Sequence, residues 1–302
     1  DATDAVLTGA VRASLSAGDA AKTLRDLRSA ARERLSQAGI QNAAQEADWL
    51  LCHASGLSAA ALLAHQDSPL DEAAQKRLEL ELRRRESGEP IQYILGSAPF
   101  RDLELEVGPG VLVPRPETEL LVDLALSLLP DDGFVFMDWG TGSGCIAASI
   151  LLERPRAFGL LAERNPQALS CAWRNLRRLG LLGRALLIHS RTPGDLPVGA
   201  ECDLVVSNPP YIPTEAVGGL MRDVRDFEPR MALDGGADGM DCYRALFGAA
   251  PLWLKPGGLL LLEMGDAHQA ERMKGHSSKF DLLRSVLDFS AIPRCMAWRY
   301  RG

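Results

Sequence analysis

Three glycines follow an acidic residue where an apolar stretch of the sequence ends. In the segment 134–154, "FVFMDWGTGSGCIAASILLER", Asp138 is followed by Gly140, Gly142 and Gly144. Glycines are needed where the backbone turns sharply from a strand into a helix and a ligand must approach the main chain closely. The first N–H groups of the following helix are free to bind that ligand. The segment therefore predicts a ligand-binding loop.

Glu163 and Asp138 indicate which kind of ligand this loop would bind. Glu163 ends the next apolar stretch, where a carboxylate can accept hydrogen bonds from both ribose hydroxyls of an adenosine. Asp138 beside the loop disfavours a pyrophosphate and favours a cation. S-adenosylmethionine carries an ammonium and a sulfonium and no phosphate, so we expect it rather than a dinucleotide. Taken alone, the motif also fits a glycine-rich turn without chemistry.

A second motif, Asn208-Pro209-Pro210-Tyr211, follows the apolar stretch "CDLVVS". The Asn208 side-chain oxygen and the Pro209 carbonyl are hydrogen-bond acceptors, and proline restricts their direction. Together they could hold the two hydrogens of a planar –NH₂ group while the Tyr211 ring stacks on its face. The motif predicts a site for an amide or an aromatic amine, although alone it equally fits a turn at a strand end.

Two further proline-marked segments carry charged residues. Arg115 and Glu117 lie in "GVLVPRPETELLV", and Glu228 lies in "VRDFEPRMALDGGADG". These side chains could face a cleft, and ordinary ion pairs explain them equally well. The segment 254–265, "LKPGGLLLLEMG", predicts a turn and a strand, and we assign it no chemistry.

The pattern of elements that must position these motifs changes along the chain. Residues 1–90 predict a helical bundle, because apolar residues recur at helical spacing. Residues 91–113 alternate in short stretches separated by glycine and proline, as in a β-hairpin linker. Residues 114–302 alternate strand and helix, which predicts an α/β fold with a largely parallel, doubly wound sheet. The final stretches, "FDLLRSVLDF" and "RCMAWRY", could add two strands, one of them an antiparallel edge.

Composition excludes several classes of protein. The 302 residues are compatible with two domains, and no apolar run reaches the length of a membrane helix. A net charge of -7 disfavours a broad nucleic-acid-binding face. The six cysteines lack metal-site spacing, so we expect reduced thiols in a cytoplasmic protein and no metal. The start is acidic and lacks an initiator Met, which fits either a trimmed sequence or a processed precursor. Processing would make the mitochondrial matrix an alternative location.

These motifs together resemble those of the release factor glutamine methyltransferases, the HemK-like (PrmC-type) protein-(glutamine-N(5)) methyltransferases. Five segments appear in the family's order: "GEPIQYILG", "LVPRPETELLV", "DWGTGSGCIA", "VVSNPPYIP" and "DFEPRMALDGGADG". The resemblance implies a class I S-adenosylmethionine-dependent methyltransferase domain, with a Rossmann-like, mostly parallel seven-stranded sheet. It also implies a small N-terminal helical domain that recognises the substrate.

The resemblance also implies an activity and its residues. The expected substrate is the glutamine in the Gly-Gly-Gln loop of peptide-chain release factors, methylated on its side-chain nitrogen, with S-adenosylhomocysteine as the product. Catalysis would rest on Asn208, Pro209 and Tyr211, and these three with Pro210 would bind the glutamine amide. The expected cofactor-binding residues are Asp138, Gly140, Thr141, Gly142, Ser143, Gly144, Glu163, Thr192 and Asn208. Position 163 usually holds Asp in the family, and Arg191-Thr192 stands where an acidic-aromatic pair is common.

Three other functions remain open at this point. The same chemistry could act on a ribosomal protein. An adenine amino group of DNA or RNA could be the acceptor, although the acidic composition disfavours it. A non-catalytic cofactor-binding module is the third. We expect a monomer without a stable nucleic-acid or membrane partner.

Overall fold

The computed structural model describes residues 22–131, 133–192, 195–196, 199 and 201–302. It forms two compact units, one ending at Leu95 and the other beginning at Gly96. Residues 1–21 of the predicted helical domain lie outside the described residues. None of the helices in the described ranges is long and apolar enough to cross a membrane.

The described part of the N-terminal unit is helical. It contains α1 (Leu24–Gln37), α2 (Ala43–Ser55), α3 (Ala59–Ala64), α4 (Glu72–Glu86) and α5 (Ile91–Leu95). Thr23 and Asp26 form a capping box that satisfies free N–H groups at the start of α1. Asp71 caps α4 by accepting from the Ala74 N–H. Apolar residues at helical spacing, including Leu35 and Leu50, are fully buried in its core.

The second unit begins with an antiparallel pair, β1 (Ser97–Phe100) and β2 (Leu103–Glu106), within the segment predicted to be a hairpin linker. A short 3₁₀ turn, Pro116–Thr118, then leads into α6 (Glu119–Leu128). The other helices are α7 (Cys145–Glu153), α8 (Pro166–Arg178), α9 (Arg222–Phe227), α10 (Asp241–Ala249) and α11 (Ala267–Met273). The other strands are β3 (Val135–Trp139), β4 (Phe158–Glu163), β5 (Ala185–His189), β6 (Cys202–Ser207), β7 (Leu254–Glu263), β8 (Phe280–Leu287) and β9 (Pro293–Tyr300).

Strands β3 to β9 form a seven-stranded sheet in the order β5-β4-β3-β6-β7-β9-β8. Neighbours among β3 to β7 are parallel, whereas β9 runs antiparallel to both β7 and β8. The mostly parallel sheet predicted for a class I methyltransferase is therefore confirmed, including its antiparallel edge. The strand order reverses at β3, which has β4 on one side and β6 on the other, and open α/β sheets bind ligands at such a point.

Side chains from both faces of this sheet are buried, which explains the continuous apolar runs in the sequence. Phe136, Leu204 and Leu261 point into one core cluster. Their neighbours Met137, Val205 and Leu260 point into the other. With both faces covered, polar residues emerge at the strand ends. The glycine loop follows β3 and the Asn-Pro-Pro-Tyr motif follows β6, so the two motifs meet at one edge.

Candidate active site

The glycine loop after β3 is held open by its backbone conformation. Gly140 and Gly142 have φ angles of +77° and +57°, which side chains other than glycine rarely adopt. A Cβ atom added at Gly140 would meet no atom within 4 Å, and one at Gly142 would meet only Gly140 O, at 4.0 Å. The Gly140 and Thr141 N–H groups both donate to the Ala162 carbonyl of β4. The loop thus presents free space to a ligand.

Asp138 lies beneath this loop and is fully buried. Its Oδ2 accepts a 2.7 Å hydrogen bond from the Thr141 hydroxyl. Its Oδ1 has no hydrogen-bond partner in the part of the chain that the structure describes. The Ala147 N–H nevertheless interacts with the carboxylate and lowers the pKa of Asp138. Burial raises the pKa of Asp138 to about 7. A buried carboxyl with one unpartnered oxygen can be satisfied by a cationic donor from outside the chain.

Glu163, at the end of β4, binds the loop from the other side. Its Oε2 accepts the Gly142 N–H at 2.9 Å, and its Oε1 accepts the Asn165 N–H at 2.8 Å. Each carboxylate oxygen can accept about two hydrogen bonds, so both retain capacity for a ligand's hydroxyl groups. Asn165 in turn caps α8 and donates to the Gly110 carbonyl at 2.7 Å.

Asn175 of α8 holds the glycine loop in place, although it lies outside the motifs identified from the sequence. The residue is fully buried, and its Nδ2 donates to the carbonyls of Ser143 and Glu106, both at 2.9 Å. Its Oδ1 accepts the Glu106 N–H at 2.7 Å. A single amide therefore joins the end of β2 to the loop. An asparagine on an otherwise apolar helix face was the available signal for this role.

The Asn208 side chain is anchored on the opposite side of the cleft. Its Nδ2 donates to Thr118 Oγ1 at 3.0 Å, and the Thr118 hydroxyl donates to Glu263 Oε2 at 2.7 Å. Burial raises the pKa of Glu263, at the end of β7, to about 7. With Nδ2 occupied in this way, the Asn208 Oδ1 acceptor is left for a ligand in the cleft.

The rest of the Asn-Pro-Pro-Tyr motif packs into the protein. Pro209 is buried, and Tyr211 packs against the second core cluster. The Tyr211 carbonyl accepts from Gln269 Nε2 at 2.7 Å. A Cβ atom at Gly239 would lie only 2.3 Å from that carbonyl, so the glycine-rich segment before α10 must approach the motif closely. That approach fixes the backbone of the motif.

A cleft at the carboxyl edge of the sheet brings most of the predicted site residues together. Those lining it are Gly140, Thr141, Gly142, Ser143, Glu163, Asn208 and Pro210. Asp138, Gly144, Pro209 and Tyr211 are not among the lining residues. Residues not selected from the sequence also line it, notably Thr118, Trp139, Ile146, Asn165 and Ser190.

Ser190, rather than Thr192, reaches the cleft from the loop after β5. The Ser190 N–H donates to the Glu163 carbonyl, and its hydroxyl donates to the Thr192 carbonyl at 2.8 Å. Thr192 is exposed, and its N–H donates to Asp195 at 2.9 Å. The adenine-binding role of Thr192 stays a prediction. Of these two residues, Ser190 is the one that lines the cleft.

Comparisons with known proteins identify the family of the chain. Residues 26–96 match the family described as PrmC N-terminal domain, and residues 118–221 match the one described as Methyltransferase small domain. The chain is 42% identical over 260 residues to a release factor glutamine methyltransferase of Geobacter sulfurreducens, covering 85% of this chain and 89% of that one. It is also 42% identical over 265 residues to a protein of the same name from Moorella thermoacetica, covering 87% and 90%. The chain belongs to the release factor glutamine methyltransferase family.

Membership of the release factor glutamine methyltransferase family implies S-adenosylmethionine as the cofactor, and the described residues fit it. Asp138 has a buried oxygen without a hydrogen-bond partner among the residues that the structure describes, and a cationic group could satisfy it. Gly140 and Gly142 leave an open cradle against the loop. Glu163 retains acceptor capacity beside the loop. These three features provide for the charged and hydroxyl-bearing parts of such a ligand.

The charged residues of the two proline-marked segments form an ion pair at the cleft. Arg115, which lines the cleft, donates to Glu228 Oε1 at 2.7 Å. Burial raises the pKa of Glu228, and Arg115 partly opposes this shift. Glu117 is exposed and is not a lining residue. The pair therefore ties together two motifs by which the sequence resembles the release factor glutamine methyltransferases.

Proposed function

We propose that this chain transfers a methyl group from S-adenosylmethionine to the side-chain amide nitrogen of a release-factor glutamine. The acceptor would be the glutamine of the Gly-Gly-Gln loop. The observation that carries the proposal is the Asn208 amide, which lines the cleft with its nitrogen bound to Thr118 and its oxygen left for a ligand. Family membership supports the choice of a release factor over the other acceptors.

The proposed mechanism depends on position. S-adenosylmethionine supplies an electrophilic methyl group on a sulfonium. Asn208 Oδ1 and the Pro209 carbonyl would accept the two N–H bonds of the glutamine amide and aim its nitrogen into the cleft. An amide nitrogen is a weak nucleophile, so this alignment is the main contribution of the chain. No strong base is needed, because the nitrogen's proton becomes acidic as the N–C bond forms and the bond between methyl and sulfur breaks, and water can then take up that proton.

Asp138 and Glu163 would hold the cofactor. Asp138 would face its cationic end through the unpartnered Oδ1, and Glu163 would accept its ribose hydroxyls. Thr141 and Ser143 also line the cleft. A Cβ atom added at Gly144 would lie only 3.3 Å from the Ala172 Cβ of α8, so this glycine would act by shaping the loop. The predicted stacking of Tyr211 on the amide remains part of the proposal.

The decisive experiment uses methyl-labelled cofactor and purified release factors. We expect label on the wild-type factor and none on a factor whose Gly-Gly-Gln glutamine is replaced by alanine. Asn208→Ala should lower the rate by about 100-fold or more while leaving cofactor affinity within about threefold. Equal labelling of both factors, or an Asn208→Ala variant with wild-type activity, would contradict the proposal. Labelled adenine in a parallel DNA incubation would favour the nucleic-acid alternative.

Two further expectations, on oligomeric state and on location in the cell, accompany this function. We propose that the chain works as a monomer in the cytoplasm. Sedimentation of the purified chain alone and with a release factor would test the first expectation. Fractionation of cells that express the full-length protein would test the second.

A further inference from the structure

A chain of two hydrogen bonds leads from Asn208 to a buried carboxyl. Asn208 Nδ2 lies 3.0 Å from Thr118 Oγ1, which lies 2.7 Å from Glu263 Oε2. The three residues come from the end of β6, the 3₁₀ turn before α6 and the end of β7. Thr118 is 2% exposed and Glu263 is 1% exposed, so bulk water does not compete for these bonds.

The direction of the two hydrogen bonds follows from the number of protons available. A threonine hydroxyl has one proton and can donate only one hydrogen bond at a time. An ionised Glu263 can only accept hydrogen bonds, so the Thr118 hydroxyl must donate its one hydrogen bond to Glu263. Thr118 Oγ1 must then accept from Asn208, and only the NH₂ end of that amide can donate. The oxygen of Asn208 is consequently directed away from Thr118.

We propose that Thr118 and Glu263 are positioning residues that make the oxygen of Asn208, and not its NH₂ group, face the acceptor substrate. This inference rests on the proposed function, in which Asn208 must accept a hydrogen bond from an –NH₂ group. With the amide reversed, two NH₂ groups would face each other and no hydrogen bond could form. A single proton on a buried hydroxyl therefore selects the productive orientation.

Asn208, Thr118 and Glu263, with the two hydrogen bonds that join them, are called the relay below. The charge of Glu263 controls the direction of these hydrogen bonds. A protonated Glu263 can donate to Thr118 Oγ1, and the Thr118 hydroxyl is then free to donate to an Asn208 oxygen that has turned towards it. Burial raises the pKa of Glu263 to about 7, against the opposing effects of the Thr118 hydrogen bond and of Arg294 on β9. The other titratable groups facing it are Arg115, Glu117, Cys145, Tyr211, Tyr243 and Cys295. The productive orientation is thus fixed above pH 7, whereas protonation of Glu263 at lower pH permits the reversed orientation as well.

Substitutions that keep shape and remove one proton or charge test the relay. Thr118→Val removes the hydroxyl and should lower kcat, at saturating cofactor and acceptor, roughly tenfold to hundredfold. Thr118→Ser keeps the hydroxyl and should stay within about threefold of wild type. Neither should change the cofactor dissociation constant. Ser127→Ala is the matched control, because it removes a hydroxyl that donates to the Leu124 carbonyl within α6. Melting temperatures identify any variant that loses activity through unfolding.

The pH profile separates positioning from a purely structural role. Wild-type kcat at saturating cofactor should decline as the pH falls through about 7, towards a lower plateau at which both orientations of Asn208 are populated. Glu263→Gln should have a lower plateau and no such acid limb, because the glutamine side chain does not titrate. A Glu263→Gln variant that keeps the wild-type rate and acid limb would overturn the proposal, as would a fully active Thr118→Val.

A measurement without turnover distinguishes failure of the relay from failure of the proposed function. With ¹⁵N-labelled asparagine, the Asn208 side-chain NH₂ resonance, assigned by its loss in Asn208→Ala, should titrate near pH 7. It should stop titrating in Glu263→Gln. If this titration is seen and no release factor is methylated, the proposed function fails and the relay stands. If release factors are methylated and the resonance does not titrate, the relay fails alone.

Discussion

Two buried carboxyls lie beneath the two motifs of the cleft, and each is bonded to a threonine hydroxyl. Asp138 lies under the glycine loop and accepts from Thr141 at 2.7 Å. Glu263 lies under the Asn-Pro-Pro-Tyr motif and accepts from Thr118 at 2.7 Å. Burial raises the pKa of each to about 7. By local chemistry alone the two sites would be interchangeable.

The Asp138 and Glu263 sites differ in the further hydrogen-bond partners of their side chains. The Thr118 hydroxyl also accepts a hydrogen bond from Asn208, so the ionisation state of Glu263 affects a second side chain of the protein. Asp138 instead keeps an unpartnered oxygen, within the described residues, beneath a loop that is open to a ligand. We therefore expect Glu263 to orient a protein group and Asp138 to bind a cationic group of the cofactor. We expect cofactor binding to lower the pKa of Asp138 and to leave that of Glu263 nearly unchanged.

The largest expected effect is on cofactor affinity. Asp138→Asn removes the buried charge and places an amide where the unpartnered oxygen is. We expect it to weaken S-adenosylmethionine binding by about 100-fold, which corresponds to roughly 3 kcal/mol for a charged hydrogen bond. Glu263→Gln, which removes the other buried charge, should stay within about twofold of wild type. Isothermal titration calorimetry of both variants measures this difference.

An equal loss of affinity in the two variants would break the comparison. It would mean that burial of charge, and not the partner of each threonine, determines cofactor binding. Thermal unfolding without ligand serves as the control. Both variants should unfold at or above the wild-type temperature at pH 8, because each replaces a buried charge that disfavours the folded state.

The pH dependence of cofactor binding should also distinguish the two carboxyls. A carboxyl with a pKa of about 7 in the free protein must lose its proton before it can face a cation. Affinity should therefore be highest above pH 7 and fall by up to about tenfold per pH unit below it. Binding near pH 7 should release protons, which calorimetry in buffers of different ionisation enthalpy detects. Asp138→Asn should abolish this dependence, whereas a loss of it in Glu263→Gln would contradict the assignment.

The parts of the molecule that are contiguous in sequence could be predicted from it. The strands and the two motifs follow from apolar runs and from glycine, proline and asparagine at their ends. Both motifs lie at one sheet edge because the carboxyl ends of parallel strands meet there. The loop after β5 has no such regularity, so the choice between Thr192 and Ser190 depends on hydrogen bonds such as that from the Ser190 N–H to the Glu163 carbonyl.

The contacts that orient the motifs could not be predicted, because they join residues far apart in the chain. Thr118 is 145 residues from Glu263 and 90 from Asn208. The segment containing Glu263 was assigned no chemistry, since a single glutamate at the end of an apolar strand has many explanations. Its role depends on β7 lying beside β6, which only the order of strands in the sheet determines.

The smallest expected effect compares the two threonines directly. Thr141→Val removes the hydroxyl that lowers the pKa of Asp138, so the acid limb of cofactor binding should move to higher pH. At pH 8 we expect affinity to fall by about fivefold to tenfold, the contribution of one hydrogen bond to a charged group. Thr141→Ser keeps the hydroxyl and should restore both properties. Thr118→Val should leave cofactor binding unchanged, because its hydroxyl serves Asn208. If Thr141→Val instead left the midpoint of this acid limb unchanged, the Thr141 hydroxyl would not influence the ionisation of Asp138. The two sites would then share an arrangement of side chains without sharing its electrostatic effect.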